Sequence, residues 1–352
     1  MIDRRAFFLG SAALAANSTL SARGVGTGKG RAIEAIPLPG GFNGLIAYAR
    51  EGRIEHLRTA GFADIEAKQP FSSSSAIRWG SASKWLTSVA VLKLVEQGRL
   101  KLDAPIRTYL PQFRGDTGQS VQVQHLLSNT SGIPDLLTRQ IASEPGLRTS
   151  TASTAEIVAR FAGGDPSFAP GDGWDYAALN WAIVAQILEQ VSGEQFPVLM
   201  QRLVLRPLGM SGAGFVQSDQ PRVPALAAAY ASVVPSVRKM TTVPAFLAAS
   251  GNVAGTVNDA VRAAHGIFHG SLLSATSRFE LLKIRWPAQE YALGGRVHPI
   301  GSDLWAWETG KVQGYRTHIA HRIDRSETIV VFNTTDMEQS LIGDWVENVA
   351  RS

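Results

Sequence analysis

The 352-residue chain contains no cysteine. Disulfides, thiolate metal sites, a cysteine nucleophile and a lipid-modified N-terminal cysteine are therefore excluded. No apolar run approaches the roughly 20 residues that a membrane-crossing helix needs. Charge is also scarce. Charged residues make up 18% of the chain and hydrophobic ones 45%, which excludes a disordered or heavily solvated scaffold. The formal charge of +5 is spread out, with no basic run or basic-aromatic stripe, so no nucleic-acid partner is expected. At this length the chain can bury a large core as one big domain or two.

The N-terminus is the first informative segment. Arg4 and Arg5 precede a short apolar run, Ala6 to Ala16, containing Phe8 and Leu9. This pattern reads as a signal peptide of the twin-arginine type, with Ala13 and Ala15 offering a small-x-small cleavage site. The expectation is an exported, periplasmic protein with no stable membrane span after cleavage. The competing reading is an amphipathic first helix of a cytosolic protein. Residues 21–35 read as a linker. The run GVGTGKG within them has the glycine content of a phosphate-binding loop. However, Arg23 stands where the first glycine belongs, Gly30 replaces the Ser/Thr, and no strand precedes it.

Beyond the linker the patterning changes in blocks. Gly44 to Tyr48 and Ile54 to Phe62 alternate around Glu51-Gly52 as a β-hairpin. Helical patterns dominate from about Lys84 to Leu208, broken by prolines. Gly314 to Ile323 and Thr328 to Asn333 form a second hairpin-like pair, and an amphipathic helix runs from about Glu338 to Val349. Strands at both ends with helices between predict an α+β fold. In it, N- and C-terminal strands share an antiparallel sheet flanked by helices, with a mainly helical subdomain, about 100–230, inserted. The expected division is leader and linker over 1–30 and a folded domain over 31–352.

The chemistry starts at Ser81 and Lys84. Residues three apart share one face of a helix. A serine opening the helix lies at its positive end, and positive potential together with burial favours a neutral lysine. A neutral amine beside a hydroxyl is a base beside a nucleophile. Trp85, Leu86, Val89, Leu92 and Val95 continue the helical pattern to Gly98. The bland alternative is a serine N-cap with a surface lysine one turn on. A second such pair, Ser236 and Lys239, follows Pro235 in a loop-like context and is set aside. His265 and His269 have helical metal-ligand spacing but lack the accompanying glutamate, so a structural role is expected and no metal site is assigned. Gly209 to Ala213 approaches a hydrolase nucleophile elbow, but Ala213 should be glycine and no strand leads into it.

Five blocks in order resemble the serine β-lactamase and D-alanyl-D-alanine peptidase superfamily, on its class C and esterase side. GSASKWLTSVAVLKLVEQGRLKLDAPIRTYLP resembles the nucleophile helix. VQVQHLLSNTSGIPDL resembles the leucine-rich stretch that ends in threonine, serine and glycine. APGDGWDYAALNWAIVAQILEQVSGEQF with LVLRPLGM resembles the second motif, SGNVAGTVNDAVRAAHGIFHGSLL a helix-and-loop block, and WETGKVQGYRTHIAHRID the third motif. The resemblance covers about residues 36–350. It implies a serine hydrolase acting through an acyl-enzyme on a small-molecule ester or amide, without metal or organic cofactor. By position it implies that Ser81 is the nucleophile, Lys84 its base partner and Tyr176 the phenol that relays the proton. The backbone N–H groups of Ser81 and Lys311 would form the oxyanion hole, and Glu308, Thr309, Gly310 and Asn180 would lie on the substrate side.

Two positions depart from the family pattern. Ala178 stands where the second motif carries asparagine, with Asn180 two residues later. Glu308 stands where the third motif begins with lysine or histidine. A carboxylate roughly 6 Å from Lys84 would favour its ammonium by about 3 kcal/mol at an effective dielectric of 20. Three remedies are expected: a cation such as Lys311 or Arg316 beside Glu308, a protonated Glu308, or Tyr176 as base. A negative site would also repel substrate carboxylates, which favours neutral esters or small amides over β-lactams. Trp79, Trp85, Trp174, Trp181, Trp305 and Trp307 flank the motifs, either as aromatic walls of the site or as core behind it. The rival readings are a β-lactamase or D-aminopeptidase-like peptidase, and a non-catalytic binding protein whose motifs have decayed.

Overall fold

The computed structural model describes residues 28–216, 223 and 225–352. The twin-arginine segment lies outside the described residues. The putting-together of the sheet follows the hydrophobic pattern of the chain ends. Helix α1 (Gly28–Ala35) leads into strands β1 (Gly44–Arg50) and β2 (Arg53–Ala60). Four later strands, β3 (Arg296–Ile300), β4 (Asp303–Val312), β5 (Tyr315–Arg322) and β6 (Glu327–Asn333), complete a six-stranded sheet in the order β3-β4-β5-β6-β1-β2. Every pairing is antiparallel. The N- and C-terminal strands meet at its centre, where Gly44 pairs with Asn333 and Arg50 with Glu327.

Alternation along these strands divides the interior in two, because successive side chains point to opposite faces. Leu45, Ala47, Val330 and Phe332 join the large core in front of the sheet. Ile46, Tyr48, Ile329 and Val331 join a smaller core behind it, closed by Ile342, Trp345 and Val349 of the C-terminal helix Gln339–Arg351. Covered on both faces, β1 and β6 read as nearly continuous apolar runs. The stretch read as a linker is helical from Gly28 onward. Its Ile33 is fully buried in the rear core, and Lys29 Nζ donates to the Ala350 carbonyl at 2.6 Å.

In front of the sheet, helix α2 (Lys84–Glu96) is buried on almost every side, as its all-round apolar sequence requires. Between β2 and β3 the chain is mainly helical. It includes α3 (Leu136–Ser143), α4 (Ala178–Ser192) and α5 (Val257–Phe268). The Ser236–Lys239 pair lies on a short strand bound to Ala229–Val233, not in a loop. Positions three apart on a strand face opposite sides, and Lys239 is ion-paired with Asp336. His265 and His269 stack at 6.0 Å, and His265 Nδ1 lies 2.7 Å from Ser326 Oγ. No helix among the described residues is long and apolar enough to cross a membrane.

Candidate active site

Ser81 does not cap a helix. It lies in a 3-10 turn, Gly80–Ser83, that runs directly into α2. A 3-10 turn has three residues per turn, so positions i and i+3 eclipse. Ser81 Oγ and Lys84 Nζ are accordingly 3.0 Å apart. Two glycines make the turn possible. Gly80 has φ +54°, in the left-handed region, and a Cβ there would lie 2.9 Å from the Lys311 nitrogen. A Cβ on Gly310 of β4 would fall 1.7 Å from the Trp79 carbonyl oxygen. Bare backbone at both positions lets β4 close on the turn. The Lys311 amide is thereby set against Gly80, next to Ser81.

Lys84 is 2% exposed. Its Nζ also donates to the Ser250 carbonyl at 2.5 Å and lies 4.9 Å from the centre of the Tyr176 ring. Burial pulls its pKa from 10.5 down to about 7, with Glu308 and Asp135 opposing and Arg296 assisting. The amine is therefore poised to hold or release a proton near neutrality. Tyr176 precedes α4, keeps 38% of its surface exposed, and lines the cleft together with Ser81 and Lys84. The ring packs against Trp174 and Tyr291. Burial, and then the negative charge of Glu308, push its phenol above the ordinary value. Of the two groups beside Ser81, the amine is the stronger candidate for base and the phenol stays protonated.

The cleft holds about 400 Å³. Ile141, Val243, Pro244, Leu247 and Val312 supply much of its apolar lining, and Asp135, Arg148 and Lys311 its charged rim. Asp135 Oδ2 accepts from the Ala178 N–H at 2.8 Å and the Thr138 hydroxyl at 2.6 Å, and Oδ1 accepts from the Thr138 amide at 3.0 Å. It thereby pins the start of α4, just after Tyr176. Arg148 and Lys311 are both exposed.

Ser81, Lys84, Tyr176 and the amide of Lys311 thus converge, whereas the other expected substrate-side residues do not. Glu308, Thr309, Gly310 and Asn180 are not among the residues lining the cleft. Asn180 is buried and spoken for: its Oδ1 accepts from Ser131 Oγ at 2.7 Å, and its Nδ2 donates to Asn129 Oδ1 at 3.3 Å. It does not replace the amide missing at Ala178. Glu308 is 1% exposed and is paired, but with Arg296 of β3 and not with Lys311 or Arg316. Arg316 is committed to Asp336 and the Met337 carbonyl. No tryptophan lines the cleft; Trp79, Trp85, Trp181 and Trp305 are core. Sequence reasoning missed Arg296, Asp135 and Arg148. The signal for Arg296 was the two-residue turn Gly301-Ser302, which sets the β3–β4 register and places Arg296 opposite Trp307.

A turn-borne serine beside a buried lysine and a phenol thus lies between an antiparallel sheet and a helical lobe. The beta-lactamase family model matches residues 33–348, and the chain belongs to that family. It is 34% identical to esterase EstB of Burkholderia gladioli over 49% of this chain and 47% of that protein. To the putative penicillin-binding protein PbpX of Bacillus subtilis it is 30% identical over 51% and 42%. The chain therefore spans somewhat under half the length of these curated relatives. Among solved structures, a penicillin-binding protein from Bacillus halodurans superposes with a TM-score of 0.76 at 20% identity, covering 87% of this chain and 95% of that one. A D-amino acid amidase from Ochrobactrum anthropi gives 0.75 at 19%, covering 88% and 93%. At these identities the structural likeness establishes the fold alone.

Proposed function

We propose that the chain is a serine hydrolase that forms an acyl-enzyme on Ser81, with carboxylic esters or small amides as substrates. The observation that carries this reading is the 3.0 Å approach of Nζ of the almost fully buried Lys84 to Ser81 Oγ at the cleft. Neutral Lys84 takes the Ser81 proton as Oγ attacks the substrate carbonyl carbon. The carbonyl oxygen becomes an oxyanion facing the N–H groups of Ser81 and Lys311, a contribution of several kcal/mol to the transition state. The bond to the leaving oxygen or nitrogen then breaks. Tyr176 gives that atom its proton and is reprotonated from Lys84, which returns the amine to its neutral form. Water repeats the sequence on the acyl-enzyme and releases the acid.

The names of relatives support this substrate range without fixing it: one is an esterase, another protein of this fold a D-amino acid amidase. A β-lactam or D-alanyl peptide substrate is the second reading, favoured by the cations Arg148 and Lys311 at the rim. A fluorophosphonate probe should label the purified protein, and Ser81→Ala should abolish labelling. Folded wild-type protein that stays unlabelled would favour a binding protein without catalysis. Nitrophenyl butyrate should turn over faster than a chromogenic cephalosporin, and the reverse order would give the second reading precedence.

A further inference from the structure

Glu308 poses an electrostatic problem for the chemistry just described. A carboxylate buried near a buried amine draws a proton onto that amine. As an ammonium, Lys84 has no lone pair with which to take the Ser81 proton. The neighbouring strand addresses this. Arg296, at the head of β3, places Nη1 3.0 Å from both Oε1 and Oε2 of Glu308. Its guanidinium rests 5.2 Å from the Tyr291 ring centre and 5.1 Å from that of Trp307. Tyr291 meets Tyr176 edge-on at 6.3 Å. Oε1 of Glu308 also accepts the Thr309 amide at 2.9 Å.

We propose that Arg296 is a positioning residue that supplies, from the adjacent strand, the cation absent from the head of the third motif: by closing on Glu308 it cancels the charge that would otherwise fix Lys84 as an ammonium. The proposal rests on the reading of Ser81 as nucleophile and Lys84 as base. The titratable and charged groups acting on that centre come from every element around it. They are Tyr176 before α4, Asp135 at the start of α3, Glu308 on β4 and Arg296 on β3, with Tyr291 between Tyr176 and Arg296 and His318 of β5 against Trp307. Of the two carboxylates, Asp135 is held by Thr138 and Ala178, and Glu308 by Arg296. The balance at Lys84 agrees in sign, since Glu308 raises its pKa and Arg296 lowers it. Arg296 also lies over Tyr291, which packs edge-on against Tyr176, so one side chain reaches both partners of Ser81.

The test is the pH dependence of acylation by a neutral nitrophenyl ester, with the active fraction of each variant counted by fluorophosphonate titration. Arg296→Met should move the acid limb alkaline by about one unit or more, and Glu308→Gln should move it the other way by a similar amount. The double variant Arg296→Met/Glu308→Gln, which removes both charges, should return the limb to within about half a unit of wild type, and Arg296→Lys should hold it near wild type. A limb that stays in place in both single variants, with rate falling only in step with active fraction, would make the pair a structural tie and overturn the proposal. Wild-type protein that takes up no label would instead overturn the nucleophile assignment, and this proposal with it.

Discussion

Two buried polar clusters lie at different places against the same sheet, and they are built on opposite principles. At the seam where the chain ends meet, Asn43 donates through Nδ2 to the Phe62 carbonyl at 2.8 Å and to Thr334 Oγ1 at 2.7 Å, and Oδ1 accepts the Phe62 amide at 2.7 Å. Its own amide donates to Asn333 Oδ1 at 3.0 Å, and Asn333 Nδ2 donates to the Thr335 carbonyl and hydroxyl. All members are neutral and matched donor to acceptor, which is how a buried polar network stabilises a fold. Around Ser81 the groups are ionisable and crowded: a lysine burial has stripped of basicity, a phenol above its ordinary range, a carboxylate held by an arginine. The seam makes burial cheap by satisfying every atom. The cleft uses burial to keep a proton loosely held.

Breaking either cluster should therefore give opposite signatures. The largest effect is expected at Gly310→Ala. A methyl there collides with the Trp79 carbonyl oxygen, so β4 and the serine turn must separate. Fluorophosphonate labelling should slow by about a hundredfold or more, the scale of losing one oxyanion donor, and wild-type labelling would show that the turn does not depend on this approach. Next, Lys84→Met and Asn43→Ala should differ in sign. Lys84 has a folded pKa of about 7, so between there and its ordinary value the unfolded chain binds more protons, and its contribution to stability rises with pH across that window. Removing it should abolish turnover and stabilise the protein by a few kcal/mol at and below about pH 7, an advantage that fades toward about pH 10. Asn43→Ala should cost about 2–4 kcal/mol and leave the rate per labelled site intact. Denaturant melts at pH 6 and 9 check both, and a destabilised Lys84→Met would sink the contrast. The smallest effect belongs to the rim. Lys311→Met with Arg148→Met should lower kcat/KM for a carboxylate-bearing ester relative to a neutral one by a few-fold, less so at high salt; an unchanged ratio would show that the rim does not read substrate charge.

The sheet was legible because its central strands, β1 and β6, are short apolar runs of strand length, although the alternation expected of Gly44 to Tyr48 is absent because both faces of the strand are buried. The Ser81–Lys84 contact was legible because a spacing of three survives whether the turn is 3-10 or α-helical, although the serine was expected to open the helix and does not. Helix α1 was not legible. Eight residues with one fully buried side chain, Ile33, have little propensity of their own, and such a short helix is held by docking that local sequence does not display. The partner of Glu308 was missed for a related reason. Arg296 lies twelve residues away in sequence, and only the register of β3 on β4 brings it near. The expected partners were those closest along the chain, Lys311 and Arg316, and the fold spends them elsewhere.

Where a Cβ on Gly28 would stand only 3.1 Å from the carbonyl oxygen of Ser352, the start of α1 touches the end of the C-terminal helix. A short peptide bridge between those two positions would complete the circle without bending a strand, and the cut could be moved to an exposed turn such as Glu51-Gly52 with the same domain expected to form. Because that junction lies behind the sheet, cargo attached there would leave the cleft on the opposite side open to substrate.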